Sequence, residues 1–407
     1  MRAYERLLKY VAVHTQSDPN STTVPTSECQ FDLAHLLVDE MKAMGIADAH
    51  VDEHCYVYGH IPATAGCESA PKLGFIAHMD TSPDFSGLNV NPVIIENYDG
   101  EDVVLGSSDK VLSKSIFKHL PTLKSRTLIT TDGTTLLGAD DKAGVAEILT
   151  MAERLIAENI PHGPICIGFT PDEEVGTGAA TFDLETFDAD YAYTLDGSVE
   201  GEIQYENFTA SSADFVIKGF SVHPGTSKDT MINASLVACE INSMLPTYET
   251  PSHTEGYEGF YHLMSIKGDV VSAELHYIVR DFTDELMEAR KNTLRLIAKS
   301  INEKYGEDTV VLTLKDQYKN MRSHIEGMDC LHLVENAVTA CKAVGITPIV
   351  QPIRGGTDGA QLTYKGLPCP NLGTGGFSFH GPYEHITVEA MDLSTDMIVE
   401  LIKLYSK

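Results

Sequence analysis

Two short runs, LGFIAH (Leu73–His78) and ICIGFT (Ile165–Thr170), are apolar almost from end to end and stop abruptly at polar residues. Runs of that length and make-up read as buried strands. Between them DDKAGVAEILTMAERLIAEN carries apolar residues three and four apart, which predicts a helix from about Lys142. A third strand follows in ADYAYTLD, ending at Asp196. Strand, helix, strand with apolar strands predicts α/β layering.

The pattern changes near Glu206. TASSADFVIKGFSVHPG alternates as a half-exposed strand does, NASLVACEINSMLP reads as a helix, and YHLMSIKGDVVSAELHYIVRDF gives two alternating strands around a Gly-Asp turn. A strong helix, DELMEARKNTLRLIAKSINEKYG, and the strand TVVLTLKDQY complete a strand–helix–strand–strand–helix–strand order. That is the ferredoxin-like plan, here over about residues 208–320. Ahead of the first apolar strand lie an N-terminal helix, a Ser/Thr/Pro-rich loop and a helix from about Glu28 to Met44. Residues 81–127 read as loop with short strands. The block 321–407 is expected to hold two helices and to rejoin the first sheet through GITPIVQPI and CPNLGTG. The chain is therefore read as a catalytic domain in two parts, 1–207 and 321–407, with an α+β lid domain, 208–320, inserted between them.

A chain of 407 residues can bury a large core and exceeds the usual size of one compact domain. With 59 acidic against 29 basic residues, the formal charge of -30 argues against nucleic acid or an anionic membrane as partner. No run approaches the length of a bilayer span. MRAYERLLKYVAV lacks an apolar leader core, so a cytoplasmic location is expected. The eight cysteines are scattered without a CxxC pair, so buried free thiols are expected rather than thiolate zinc ligands.

Four polar segments stand where strand patterns stop or helices begin: HMD (His78–Asp80), GADDKAG (Gly138–Gly144), PDEEVGTG (Pro171–Gly178) and YTLDGS around Asp196. Ligands of open α/β sheets bind beyond the carboxyl ends of strands, so these segments are candidates to converge there. FSFHGPYEH adds His380 in a late glycine-containing loop. Zinc accepts imidazole nitrogen and carboxylate oxygen, and two zinc ions sharing one carboxylate need about five protein ligands. His78, Asp140, Glu174, Asp196 and His380 have the right number and types. Asp80, two residues from His78, is placed to accept the other ring N–H. Spacing alone leaves the plain alternative open, in which loop carboxylates face water and Asp172 belongs to a wet turn.

Taken together, HMD, ADDKAG, PDEEVG, the Asp196 segment and His380 resemble the zinc peptidase and deacylase family that includes carboxypeptidase G, aminoacylase and the desuccinylase of diaminopimelate synthesis. The resemblance runs over essentially the whole chain. It implies two Zn2+ per subunit, one held by His78 and Asp196, the other by Glu174 and His380, with Asp140 bridging and a cis bond after Asp140. It implies that Asp80 orients His78 and that Glu173 is the general base. It implies a metallo-aminopeptidase that removes the N-terminal residue of tripeptides with a zinc-activated bridging water.

In the lid, the resemblance makes His223 of GFSVHPG an oxyanion stabiliser, acting across a homodimer or after lid closure. Arg280 and Arg354 are candidates to clamp a peptide carboxylate. Asn233 is either a helix N-cap or a substrate contact. IRGGTDGA and NLGTGGFSFHG match no phosphate-binding pattern and read as close packing. The same metal machinery would equally serve a dipeptidase, a carboxypeptidase or an N-acyl-amino-acid hydrolase. A non-catalytic peptide-binding protein is the reading from another class, and the presence of every ligand position together with Glu173 argues against it.

Overall fold

The computed structural model describes residues 1–106 and 108–406, which divide into two compact units. The first comprises Met1–Tyr205, Ser323–Gln351 and Thr357–Lys407. Its spine is an eight-stranded sheet in the order His50–Val51, Val57–Ile61, Ile165–Thr170, Leu73–His78, Tyr191–Gly197, Asn371–Gly373, Glu202–Gln204, Ile349–Val350. The four strands from Ile165–Thr170 to Asn371–Gly373 run parallel, and antiparallel neighbours flank them, so the sheet is mixed. Leu73–His78 and Ile165–Thr170 are buried along their whole length, as apolar runs without alternation must be.

The helix Ala139–Ala157 packs on the central strands Leu73–His78 and Tyr191–Gly197 and is covered in turn by Ala3–Tyr10 and Val388–Tyr405. Asp140 and Asp141 have non-helical dihedrals, so the regular helix begins at Lys142 as the periodicity predicts. Gly144 allows the close approach, because a Cβ there would lie 2.1 Å from the Leu195 carbonyl oxygen. The first turn of this helix is thereby set against the strand that carries Asp196.

Residues 81–127 contain the short strands Pro92–Ile95, Val103–Val104 and Val111–Leu112. A second, antiparallel sheet orders Gly376–Phe377, His385–Thr387, Leu128–Thr131 and Pro92–Ile95. Where two helices were expected in the last block, the structure has His332–Ala343 and Val388–Tyr405 together with the shorter Arg322–Gly327 and Asp358–Tyr364. The short pair spans two turns or fewer, too little for a 3.6-residue period to register. Of the eight cysteines, all free, Cys239 is exposed and Cys29 and Cys67 are half-buried, against the expectation that all would be interior.

The second unit comprises Glu206–Arg322 and Pro352–Gly356. Its antiparallel sheet has the order Phe260–Gly268, Ser272–Asp281, Thr209–Lys218, Val310–Tyr318. The helices Ala234–Ser243 and Asp284–Tyr305 bury their apolar stripes on it, with Phe215, Val237, Ile241, Leu275, Tyr277 and Leu294 in the core. Alternation along Ser272–Asp281 puts Ala273, Leu275, Tyr277 and Val279 into that core. Among the described residues no helix is long and apolar enough to cross a membrane.

Candidate metal centre

Parallel pairing places His78 opposite Thr170 and Thr194 opposite Ile76, so His78, the PDEEVG turn and Asp196 leave the sheet at one edge. The kinked start of the helix brings Asp140 to the same edge, across a cis Asp140–Asp141 peptide. The late loop brings His380. Asp140 lies between the two imidazoles: its Oδ1 is 3.0 Å from His78 Nε2 and its Oδ2 is 3.2 Å from His380 Nε2. Asp196 Oδ1 is 3.4 Å from His78 Nε2, and Glu174 Oε2 is 3.0 Å from His380 Nε2. The five residues nominated as ligands thus come together, with one oxygen of Asp140 turned to each histidine.

Among the described residues two groups have ligand atoms close enough to hold an ion, His78–Asp141–Asp196 and His78–Asp140–Glu174. Several features fit a cation pair. His78 Nδ1 is committed to the Asp80 carbonyl at 3.1 Å and the Asp80 carboxylate at 3.2 Å, which leaves Nε2 to face the cluster. Glu174 Oε1 is buried with no hydrogen-bond partner among the described residues. Burial, and then the Asp196 charge, pushes Glu173 and Asp141 well above the usual carboxylate range. Burial raises Glu174 to about 7 and Asp196 to about 6. Against its own burial, Asp140 is held low by hydrogen bonds from His380 and His78. His380 is raised to about 11 by its hydrogen bonds to Asp140 and Glu174. Acids this crowded and buried call for compensating positive charge, and bound divalent ions would supply it in place of ring protons.

A sequence profile described as Peptidase family M20/M25/M40 matches residues 130–404. The chain belongs to that family. Proteins named Peptidase T resemble it over nearly its full length. The one from Alkaliphilus oremlandii is 50% identical over 406 residues, 99% of this chain and 99% of the relative. The one from Clostridium perfringens (strain 13 / Type A) is 52% identical over 407 residues, 100% of this chain and 99% of the relative. Among solved structures, the aminopeptidase PepT of Bacillus cereus ATCC 10987 has the same fold, with TM-score 0.79 at 23% identity, covering 100% of this chain and 98% of that one. The Bacillus subtilis YXEP protein, described as a dinuclear metal-binding peptidase of the M20 family, matches with TM-score 0.64 at 15% identity over 99% and 98% of the two chains.

Around this M20 centre the structure adds residues that sequence reasoning did not nominate. Asp141 Oδ2 accepts from His78 N at 3.1 Å and Oδ1 from Gly144 N at 3.3 Å, tying the strand end to the helix start. Asp80 does more than face His78: Oδ1 accepts from Glu173 N at 3.0 Å and Oδ2 from Glu174 N at 3.2 Å. One carboxylate therefore sets both a histidine and the turn that carries the two glutamates. The Asn371 amide oxygen accepts from Asp196 N at 2.9 Å. Asp172 is not the wet turn residue of the sequence reading. It is fully buried, and its carboxylate accepts from Thr26 N, Thr26 Oγ1 and Gln30 Nε2. Its partners lie some 140 residues away in the chain, beyond the reach of any local pattern. Asp358, in the GGTDG segment, is buried with Oδ2 accepting from Thr170 Oγ1 and Oδ1 without a partner among the described residues, and burial raises it to about 7.

The remaining candidates lie in the second unit. His223 is exposed, and its Nδ1 accepts from Gly225 N at 3.1 Å, so the neutral ring carries its proton on Nε2. Arg280 Nη1 donates to the carbonyls of Ser211 and Val279, and its guanidinium lies over Tyr318. Arg354 donates to the carbonyls of Thr254, Gly256 and Glu258 and stacks over Phe208. Asn233 Oδ1 caps the helix Ala234–Ser243 by accepting from Leu236 N.

Proposed function

We propose that this M20 peptidase is a zinc-dependent aminopeptidase that removes the N-terminal residue of tripeptides. The observation that carries the reading is Asp140 set between two imidazoles with one oxygen toward each. The tripeptide assignment draws on relatives named Peptidase T and on a solved fold neighbour from Staphylococcus aureus described as a tripeptidase. A pair of Zn2+ ions fits the donor set: His78 and Asp196 would hold one, Glu174 and His380 the other, and Asp140 would serve both. When bound, the pair supplies an acidified water and a positive charge that polarises the scissile carbonyl.

Glu173 takes the proton of the attacking water and returns it to the departing amine nitrogen. Asp80 fixes the backbone of Glu173 and Glu174, so the base and its neighbouring ligand keep their separate directions. The Nε2 proton of His223 suits it to donate to the oxyanion. The βαββαβ order of the second unit supports a ferredoxin-like lid, and a homodimer through that lid is part of the same reading. In the lid, Arg280 offers its fork to a peptide carboxylate. Arg354 would have to release backbone acceptors to do the same, and Asn233 would use its amide nitrogen. Activity in the cytoplasm completes the reading.

The test is an assay of zinc-loaded and chelated protein on di-, tri- and tetrapeptides with free or blocked amino ends. Cleavage of free tripeptides that disappears on chelation is expected. Absent tripeptide cleavage with metal present, or activity indifferent to full chelation, refutes the reading.

A further inference from the structure

We propose that Glu384 is a positioning residue of the metal centre, holding the loop that presents Asp140 in register with the loop that presents His380. The inference rests on the dinuclear reading above. Glu384 is 1% exposed, yet its carboxylate contacts run to backbone rather than to a side-chain cation. Oε2 accepts from Leu137 N at 2.7 Å and Gly138 N at 2.8 Å, and Oε1 accepts from Asp140 N at 3.0 Å. Three N–H groups of one turn converge on one anion, a concavity made possible by Gly138 at φ +78°. The turn is thus closed on a charge delivered from another part of the chain.

That charge comes from four residues beyond His380. The Glu384 amide donates to Gly381 O at 3.2 Å, which closes the His380 loop on itself. The next residue, His385, pairs with Thr130 in the strand Leu128–Thr131, and the Asp140 loop follows that strand. Both loops therefore spring from one strand pair, and Glu384 joins them a second time at their tips. The separation of Asp140 Oδ2 and His380 Nε2, 3.2 Å, depends on that joint. His78 and Asp196 are held by other means, the Asp80 carboxylate and the Asn371 amide. Asp140 belongs to both pockets, but only the Glu174–His380 pocket takes two residues, Asp140 and His380, from the loops that Glu384 joins, so losing Glu384 must loosen that pocket first. A glutamine of the same size has a single acceptor oxygen and would turn an N–H2 group toward a backbone N–H.

The experiment compares wild type with Glu384→Gln in zinc content after dialysis against a weak competing chelator, in kcat and KM on a tripeptide at saturating zinc, and in metal-free melting. The expected result is retention of one zinc per chain where wild type keeps two, with kcat lowered about tenfold or more and KM within about twofold. Two zinc ions held as in wild type with unchanged kcat would overturn the proposal, even if melting falls, since that is what a merely structural acid would show. Should Glu384→Gln not fold, Gly138→Ala decides. It strains the same turn with Glu384 intact, and it must also lose one zinc selectively, whereas retention of both overturns the proposal. A wild-type protein that binds no zinc, or works without it, would sink the dinuclear reading itself and not this joint alone.

Discussion

Asp172→Ala tests whether the acidic turn is built from inside. The wild-type carboxylate is 0% exposed and accepts from Thr26 N at 2.8 Å, Thr26 Oγ1 at 2.5 Å and Gln30 Nε2 at 2.7 Å. A hydrogen bond to a charged group contributes about 1.5–3 kcal/mol, so three set an upper range of about 4.5–9 kcal/mol. Burial offsets much of this, because it still leaves the Asp172 carboxyl above its ordinary range despite the three donors. Alanine also tolerates the left-handed backbone at φ 58° less well than aspartate. A net loss of about 3 kcal/mol follows, and at roughly 2 °C per kcal/mol for a unit of this size the melting temperature should drop by about 6 °C. The assay is thermal unfolding of metal-free protein followed by far-UV circular dichroism, with Gln30→Ala, which removes one donor, expected to shift by about a third as much. A shift of less than about 2 °C for Asp172→Ala would refute the claim that this acid anchors the turn.

Replacing Glu173 by glutamine should lower kcat by about 10²–10⁴ with zinc content retained, whereas Glu174→Gln should lose zinc. The opposite pattern in metal analysis would exchange their roles. His385 is buried and its pKa is lowered to about 4 from 6.5, first by burial, so its contribution to stability is complete above pH 6.5 and is lost as pH falls toward 4. His385→Asn should flatten the acid limb of the stability–pH curve by about 3 kcal/mol, and an equal change with pH in the urea-unfolding stability of the two proteins would contradict this. Glu147 is fully buried, and neither carboxylate oxygen has a partner among the described residues. Burial raises its pKa well above normal, so keeping it there opposes folding increasingly as pH rises past the ordinary value. Glu147→Leu should raise the melting temperature at pH 8 by a few degrees and less at pH 5, and a fall at pH 8 would show a partner or task for this acid.

Two kinds of information could be read along the chain. One is local periodicity: unbroken apolar runs mark the interior strands, spacing by three and four marks the helix from Lys142, and alternation marks strands of the second unit, most clearly Ser272–Asp281. The other is the placing of polar residues where those patterns stop, which singled out His78, Asp140, Glu174, Asp196 and His380. Helices of two turns or fewer in the last block were not legible, because they are shorter than the signal needed to detect them. The cap on the helix Ala234–Ser243 was legible as one of two readings of Asn233, since a cap is a contact three residues long.

Only the tertiary structure decided what the other acids do. Asp80, Asp141, Asp172 and Glu384 all accept backbone or side-chain donors from distant segments, and a carboxylate in a sequence carries no mark of which N–H it will meet. Asp172 and the two glutamates after it look alike along the chain. Folding buries the first against Thr26 and Gln30, directs Glu174 to His380 and fixes both glutamate amides on Asp80. The sequence by itself determined which side chains stand at the ends of buried strands, because hydrophobic burial is periodic and local. Which donors and acceptors those side chains meet was decided in three dimensions, because hydrogen bonds and charge–charge contacts act between groups brought together only by the fold.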